Sequence, residues 1–436
     1  MNYCGYITRI KNIRKHSNAD RLLVGEVFGN YIIVGLDINE GDIGVYFPTD
    51  GRLSMEFCEA NNLLRKKDDQ GNNIGGYLEP EKRHVSSLKL RGEKSDGLFM
   101  PLQSLTKFCN INDLKEGDMI TTLKGVLICE KYIPKSKRRN AVFGTGTKKI
   151  KKKVTESYPF FEEHIDTSQL AYNTHAFREG DICYLTLKMH GTSQRTAHTI
   201  KEESKTFPYA IYKILKLLKI PMHNKRTWEY VTGTRRVVLK NYKDGYYGSN
   251  VFRQKWHDFF VGKLWKGLTV YYEVVGYTQD SQTIMPSCSN SKTKDKNFIK
   301  QWGETTQFTY GCATGENDIY VYRMTTTNED GNIIEIPWEI VKIYCDKIGV
   351  KHVPQLDKFL FTTSEDLMKK VNAYVEGSDP IGKNHIKEGV VVRIEGKEKF
   401  TAYKHKSFWF KCLEGIIKSD DILDMEEEEI FQRDGE

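Results

Sequence analysis

Lys188 closes the run Ile182-Cys183-Tyr184-Leu185-Thr186-Leu187-Lys188 and is followed by Met189-His190-Gly191-Thr192-Ser193. An alternating apolar run ending on a lysine before a glycine-containing turn predicts a strand whose last side chain projects into a cleft. The glycine there lets backbone approach a ligand. Most lysines at strand ends are exposed and inert, so this one says little alone. It has company. Downstream lie Tyr271-Tyr272-Glu273-Val274-Val275-Gly276, Ile319-Tyr320-Val321-Tyr322-Arg323, Lys387-Glu388-Gly389-Val390-Val391-Val392-Arg393 and Ala402-Tyr403-Lys404-His405-Lys406. Each reads as a short apolar strand with one or two polar residues at an end or on the alternate face. An amine, two carboxylates, an aromatic ring and paired cations are residue types that suit nucleophilic chemistry on a phosphate. Taken singly, Glu273 and Glu388 could equally be strand-end carboxylates, Tyr322 ordinary core, and Lys404 and Lys406 an exposed strand face. The ordered set favours chemistry.

That set, over about 220 residues, resembles the five nucleotidyltransferase motifs of ATP-dependent ligases and mRNA capping enzymes. Lys188-Met189-His190-Gly191-Thr192-Ser193 is similar to the first motif of the RNA ligase 2 group, KxHGTN, whereas DNA ligases and capping enzymes usually carry KxDG. The resemblance covers about residues 158–412. It implies Lys188 as the nucleophile, with His190 and Gly191 framing the same pocket. It implies Arg236 as the arginine that follows the first motif, although the adjacent Arg235 could fill that place. Glu273 takes the position of the ribose-binding glutamate and Tyr322 that of the aromatic stacked on adenine. Glu388 takes that of the carboxylate supporting the metal and the nucleophile, and Lys404 and Lys406 those of the lysines at the α-phosphate. Two departures stand out. Leu187 precedes the nucleophile where some relatives have an acid, and Arg323 follows Tyr322 where Asp is usual.

The implied reaction has three steps: Lys188 attacks ATP to form lysyl-AMP, AMP passes to a 5′-phosphate end, and a 3′-hydroxyl displaces it. The residue types suit this. A lysine amine attacks only when unprotonated, against a reference pKa of about 10.4, and burial beside Lys404, Lys406 and a cation disfavours the ammonium. Oxygen-rich coordination by Glu388, phosphates and water suits Mg²⁺ or Mn²⁺ better than zinc. Glu273 can accept from ribose hydroxyls, and Tyr322 offers a flat face to a base. The expected enzyme is an ATP-dependent RNA ligase acting on RNA ends, in particular at nicks in duplexes. The competing readings are a GTP-dependent guanylyltransferase and a non-catalytic RNA-binding protein.

The elements that must position these residues read as α+β. Residues 1–125 form short strands separated by turn signals, predicting a small OB-like β-barrel. The segment RKKDDQGNNIGGY (65–77) reads as a mobile loop within it. Residues 126–157 have linker composition, and residues 158–436 read as a mixed α/β nucleotidyltransferase domain with antiparallel sheets and a helix at 208–220, PYAIYKILKLLKI. The opening Ile10 to Leu22, with His16-Ser17-Asn18-Ala19-Asp20-Arg21-Leu22, is similar to the HPNADRL-type start of tRNA-binding OB domains. OB ahead of the transferase is the order of one branch of nick-sealing RNA ligases.

Bulk properties narrow the classes. The 436 residues include 39% hydrophobic and 28% charged residues, a globular composition. No apolar run approaches the roughly 18 residues of a membrane span. Charge near the N-terminus argues against an export signal. The nine cysteines lack any CxxC pair, so free thiols in a reducing, cytoplasmic setting are expected rather than disulfides or a zinc ribbon. A monomer is expected. Residues 131–153 hold ten Lys or Arg and no acid, which suits a polyanionic partner through counterion release. The acidic segment at the C-terminal end and the stretch 290–297 suggest no function.

Overall fold

The computed structural model describes residues 3–71, 73–134, 154–205, 224–243 and 245–422. Most of the basic block, the helix expected at 208–220 and most of the acidic segment lie outside the described residues.

The first 134 residues fold as small antiparallel sheets. Strands β1 (Gly5–Arg9), β2 (Lys11–Lys15), β3 (Leu22–Val27), β4 (Asn30–Gly35) and β5 (Ile43–Phe47) come first, followed by β6 (Leu98–Pro101) and β7 (Met119–Ile120). One sheet has the order β6-β5-β1-β7 and another β2-β3-β4. Period-two alternation buries Ile7, Val45 and Phe47 in one core and Ile10, Val27, Ile32 and Val34 in a second. Among the described residues no sheet closes on itself. The segment read as a mobile loop instead carries a short ribbon, Lys66–Lys67 against Asn73–Gly75. Asp68 turns it: its side chain accepts from the Gln70 N–H at 3.0 Å and its carbonyl from the Gly71 N–H at 2.9 Å.

The remainder is built on two antiparallel sheets. Strand β8 (Ile182–Lys188) lies outside the longer one. The strands of that longer sheet include β9 (Thr192–Lys205), β10 (Lys225–Thr234), β11 (Leu268–Gly276) and β12 (Asn317–Thr327). The other has the order Ser168–Gln169, β15 (Thr401–Lys406), β14 (Gly389–Ile394), β8 and β13 (Gln355–Leu360), antiparallel except at the short first strand. The α+β expectation with antiparallel sheets therefore holds.

Strand β8 is buried on both faces, which is why its run is apolar almost throughout. Cys183 and Leu185 enter one core with Val390, Val392 and residues of the helix Ser364–Val375. Tyr184 and Leu187 enter the main core with Val270, Tyr272, Val274, Ile319 and Val321. Helices α1 (Val251–Phe260), α2 (Trp338–Ile348) and α3 (Phe408–Ser419) close that core with Phe252, Trp338 and Phe410. Ser407 caps α3, accepting from the Phe410 N–H at 3.2 Å. Among the described residues no helix is long and apolar enough to cross a membrane. All nine cysteines are free thiols.

Candidate active site

Strand register assembles the site. Gly389 pairs with Lys188 on one side and Lys406 on the other, so both lysines share a row across three strands. Lys404 lies two rows further on, opposite Val391. A Cβ at Gly389 would lie 2.2 Å from the His405 carbonyl oxygen, so only glycine permits β15 to approach this closely. Glu388 stands just before that glycine and is only 3% exposed. Its Oε1 is 2.7 Å from Lys188 Nζ.

The turn at 189–191 links β8 to β9, crossing from one sheet to the other. The His190 N–H donates to the Tyr310 hydroxyl at 2.6 Å, and its ring lies edge-on to Phe308 and Phe410 with centroids 4.6 and 4.7 Å away. Burial holds the His190 imidazole well below its usual pKa. The ring is therefore neutral and makes no ion pair with Glu388, whose Oε2 lies 3.8 Å from Nδ1. A Cβ at Gly191 would sit 2.4 Å from the Val274 carbonyl oxygen and 2.8 Å from Glu273 Cγ. Glycine is required there by close approach.

Glu273 and Ser193 pair across β11 and β9, and the Ser193 hydroxyl lies 3.0 Å from the Tyr322 hydroxyl. These residues line one cleft with Lys188, His190, Gly191, Glu388, Lys404 and Lys406. It is open to solvent and holds about 1230 Å³ of empty space counting its mouth. The arginine differs: Arg235 lines the cleft and Arg236 does not. Both guanidiniums pair with Asp166, Arg236 at 3.4 Å. Both lie in the bend that follows β10, and that bend brings Arg235 to the cleft wall. Alternation along β12 explains Arg323. It turns away from Tyr322 into a buried ion pair, with Nε 2.8 Å from Glu335 Oε1.

The cleft's electrostatics follow from burial and charge. Burial pushes the Glu388 carboxyl above its usual value despite Lys188 and Lys406. Burial, with Lys406 and Lys188 adding to it, pulls Lys404 down to about 8. Burial also pulls on Lys406, but Glu414 and Glu388 outweigh it and hold that ammonium above the usual lysine value.

Glu414 was not singled out from the sequence. It lines the cleft, and both its oxygens take Lys406 Nζ, at 2.9 and 2.7 Å. A lone carboxylate in the apolar run FWFKCLEGII was its signal. Buried Arg253 is a second such residue, its guanidinium donating to the Ser193 carbonyl at 3.2 Å and the Thr192 hydroxyl at 2.6 Å. It holds the start of β9 beside the cleft. His164 is a third, packed edge-on against Tyr322 with centroids 4.9 Å apart.

The cleft offers few donors to a divalent cation. Among the described residues no three His, Cys, Asp or Glu side chains gather to hold one. Glu388 Oε2, however, is buried with no hydrogen-bond partner among the described residues. One such oxygen fits a hard cation that takes its other ligands from phosphates and water.

The N-terminal His16-to-Leu22 motif makes local bonds. His16 Nε2 lies 3.1 Å from the Leu90 carbonyl, and Asn18 donates to the Arg91 carbonyl at 2.8 Å. In the stretch 290–297, Asn290 is buried and Lys292 pairs with Asp420.

No family model matches the chain, and no curated protein matches it. Solved structures do. A variant of the Naegleria gruberi RNA ligase with ATP and Mn aligns at TM-score 0.54 and 16% identity, covering 93% of this chain and 98% of that one. A variant with AMP and Mn aligns at TM-score 0.54 and 16% identity, covering 93% and 97%. The same ligase with PPi aligns at TM-score 0.53 and 16% identity, with coverage of 93% and 97%. Over nearly its whole length, this chain shares the fold of the Naegleria gruberi RNA ligase.

Proposed function

We propose that the chain is an ATP-dependent RNA ligase that works through a lysyl-AMP on Lys188. The observation that carries this is the convergence of Lys188, Glu388, Lys404 and Lys406 in one cleft. The shared fold supports it, since the matching ligase is seen with ATP, AMP, Mn and PPi.

Lys188 Nζ attacks the α-phosphorus of ATP, forming a P–N bond as the bond to the β-phosphate oxygen breaks and pyrophosphate leaves. Glu388 is placed to take the ammonium proton first, because it touches Nζ and its raised pKa makes it the better base. Lys404 and Lys406 offset charge developing on the α-phosphate. Glu273 binds ribose, Tyr322 stacks on adenine, and Arg235 takes the place first assigned to Arg236. Glu388 Oε2 would hold Mg²⁺ or Mn²⁺, which supplies further charge neutralisation at the phosphates. A 5′-phosphate oxygen then attacks the AMP phosphorus and releases Lys188. A 3′-hydroxyl finally attacks the activated end, and AMP departs.

The finer reading is a monomer sealing nicks in duplex RNA, in a reducing cytoplasm suited to nine free thiols. Residues 1–125 would be an OB-like module on the nucleic acid, 126–157 a basic linker and 158–436 the adenylyltransferase domain.

Incubation with α-labelled ATP and Mg²⁺ or Mn²⁺ should label the protein, and labelled GTP should not. Lys188→Ala should abolish the label; label persisting in that variant removes the proposal. Sealing assays on nicked duplexes and free strands then separate the substrates.

A further inference from the structure

Helix α3 starts directly after Lys406 and carries charge away from the cleft. Glu414 bonds Lys406 at 2.7 Å, while the next carboxylate-to-ammonium step, Glu414 to Lys418, is 3.6 Å. Lys418 is 4% exposed and lies 2.5 Å from Asp50 Oδ1. Asp50 belongs to the N-terminal sheets. It sits at φ 72°, in the left-handed region, fixed by its N–H to the Val85 carbonyl and by its carbonyl to the Tyr132 N–H, both at 2.9 Å. Strain of this kind persists only where surrounding structure over-determines it.

Buried ammoniums need anions close by. Glu414 stands between two of them and makes its short bonds to Lys406. A short bond to Lys418 comes from Asp50, across the junction between the N-terminal sheets and α3. We infer that Asp50 is a positioning residue for Lys406. By holding Lys418, it leaves Glu414 to fix the Lys406 ammonium over the cleft, so that seating of the N-terminal module on α3 organises the phosphate end of the site. This rests on the adenylylation proposed above. Removing the Asp50 charge shifts Lys418 onto Glu414 and loosens Lys406.

A second ion pair, Lys411 with Asp96, crosses the same junction without touching Glu414. It provides a control for docking alone.

The test is self-adenylylation of the full chain, with initial rates measured against the concentration of α-labelled ATP. Asp50→Asn keeps the size of the side chain and tolerates the left-handed turn. Its KM for ATP should rise about ten-fold, the scale of contact couplings. Adding Lys418→Met removes the charge that captures Glu414 and should return KM to within about two-fold of wild type. Lys411→Ala should also stay within about two-fold. The inference is overturned if Asp50→Asn matches wild type, if the double variant is no better than the single, or if Lys411→Ala matches Asp50→Asn. Should Asp50→Asn unfold, Lys418→Met alone decides: it should stay within about two-fold, and a ten-fold rise overturns the inference. A wild-type chain that takes no label ends the adenylylation reading itself. A labelled wild type with an unaffected Asp50→Asn ends only this inference.

Discussion

Glu388 Oε1 holds the Lys188 ammonium at 2.7 Å, while the other oxygen of the same carboxylate is buried without a hydrogen-bond partner among the described residues. One group thus faces two tasks, one oxygen for the amine and one for a cation. Leaving a buried carboxylate oxygen unsatisfied costs roughly 1–3 kcal/mol. Such a cost is expected where function demands it.

Glu388→Gln keeps the shape and removes the charge. Label transfer from α-labelled ATP should fall by about 10²-fold. The metal concentration giving half-maximal rate should rise at the same time. A metal titration of initial rates checks both, and a chelator should stop labelling of the wild type.

Lys404 should impose an alkaline limit on nucleotide binding. Its ammonium titrates at about 8, so affinity for ATP should fall as pH rises through that value. Lys188→Ala permits this measurement without chemistry, and adding Lys404→Met should flatten the dependence. The sign for stability is opposite. The folded value lies below the usual 10.5, so the folded state gives up this proton first. The contribution of this group is least favourable below about pH 8 and improves towards about 10.5. Lys404→Met should therefore stabilise the fold at pH 7 while weakening nucleotide binding, as thermal unfolding and binding measured together would reveal.

Gly191→Ala places a methyl group 2.4 Å from the Val274 carbonyl oxygen. Backbone cannot yield as a flexible side chain would, so the turn must move. A loss of about 1–3 kcal/mol is expected in urea unfolding, with a higher KM for ATP because Glu273 is displaced.

Arg235→Ala should lower the adenylylation rate about ten-fold, since it removes a charged donor from the cleft wall. Arg236→Ala, outside that wall, should change it less than two-fold, about the size of a surface ion pair. Initial rates of both variants, side by side, check the assignment.

Much of the fold was readable because strand signals are local. The run ending at Lys188 ends as a strand there, Glu388 falls just before the strand Gly389–Ile394, and Lys406 closes the strand Thr401–Lys406 with Lys404 inside it. Period-two alternation depends only on neighbouring residues. The small barrel expected over residues 1–125 is not found as a closed sheet among the described residues, because closure depends on pairing between strands far apart in the chain. The ribbon at 66–75 escaped for a related reason: its polar composition resembles a loop, and the turn made by Asp68 decided otherwise.

By itself the sequence determined the chemical inventory: one amine before a glycine turn, a carboxylate, an aromatic ring, a second carboxylate and two lysines, in that order along the chain. Only the tertiary structure decided which arginine faces the cleft, that Glu414 neutralises Lys406, and that Asp50 lies within reach of Lys418. Residue type and strand period are written in adjacent positions. Which charges compensate one another depends on burial and on contacts such as that between Asp50 and Lys418, 368 positions apart, where low dielectric makes each missing partner costly.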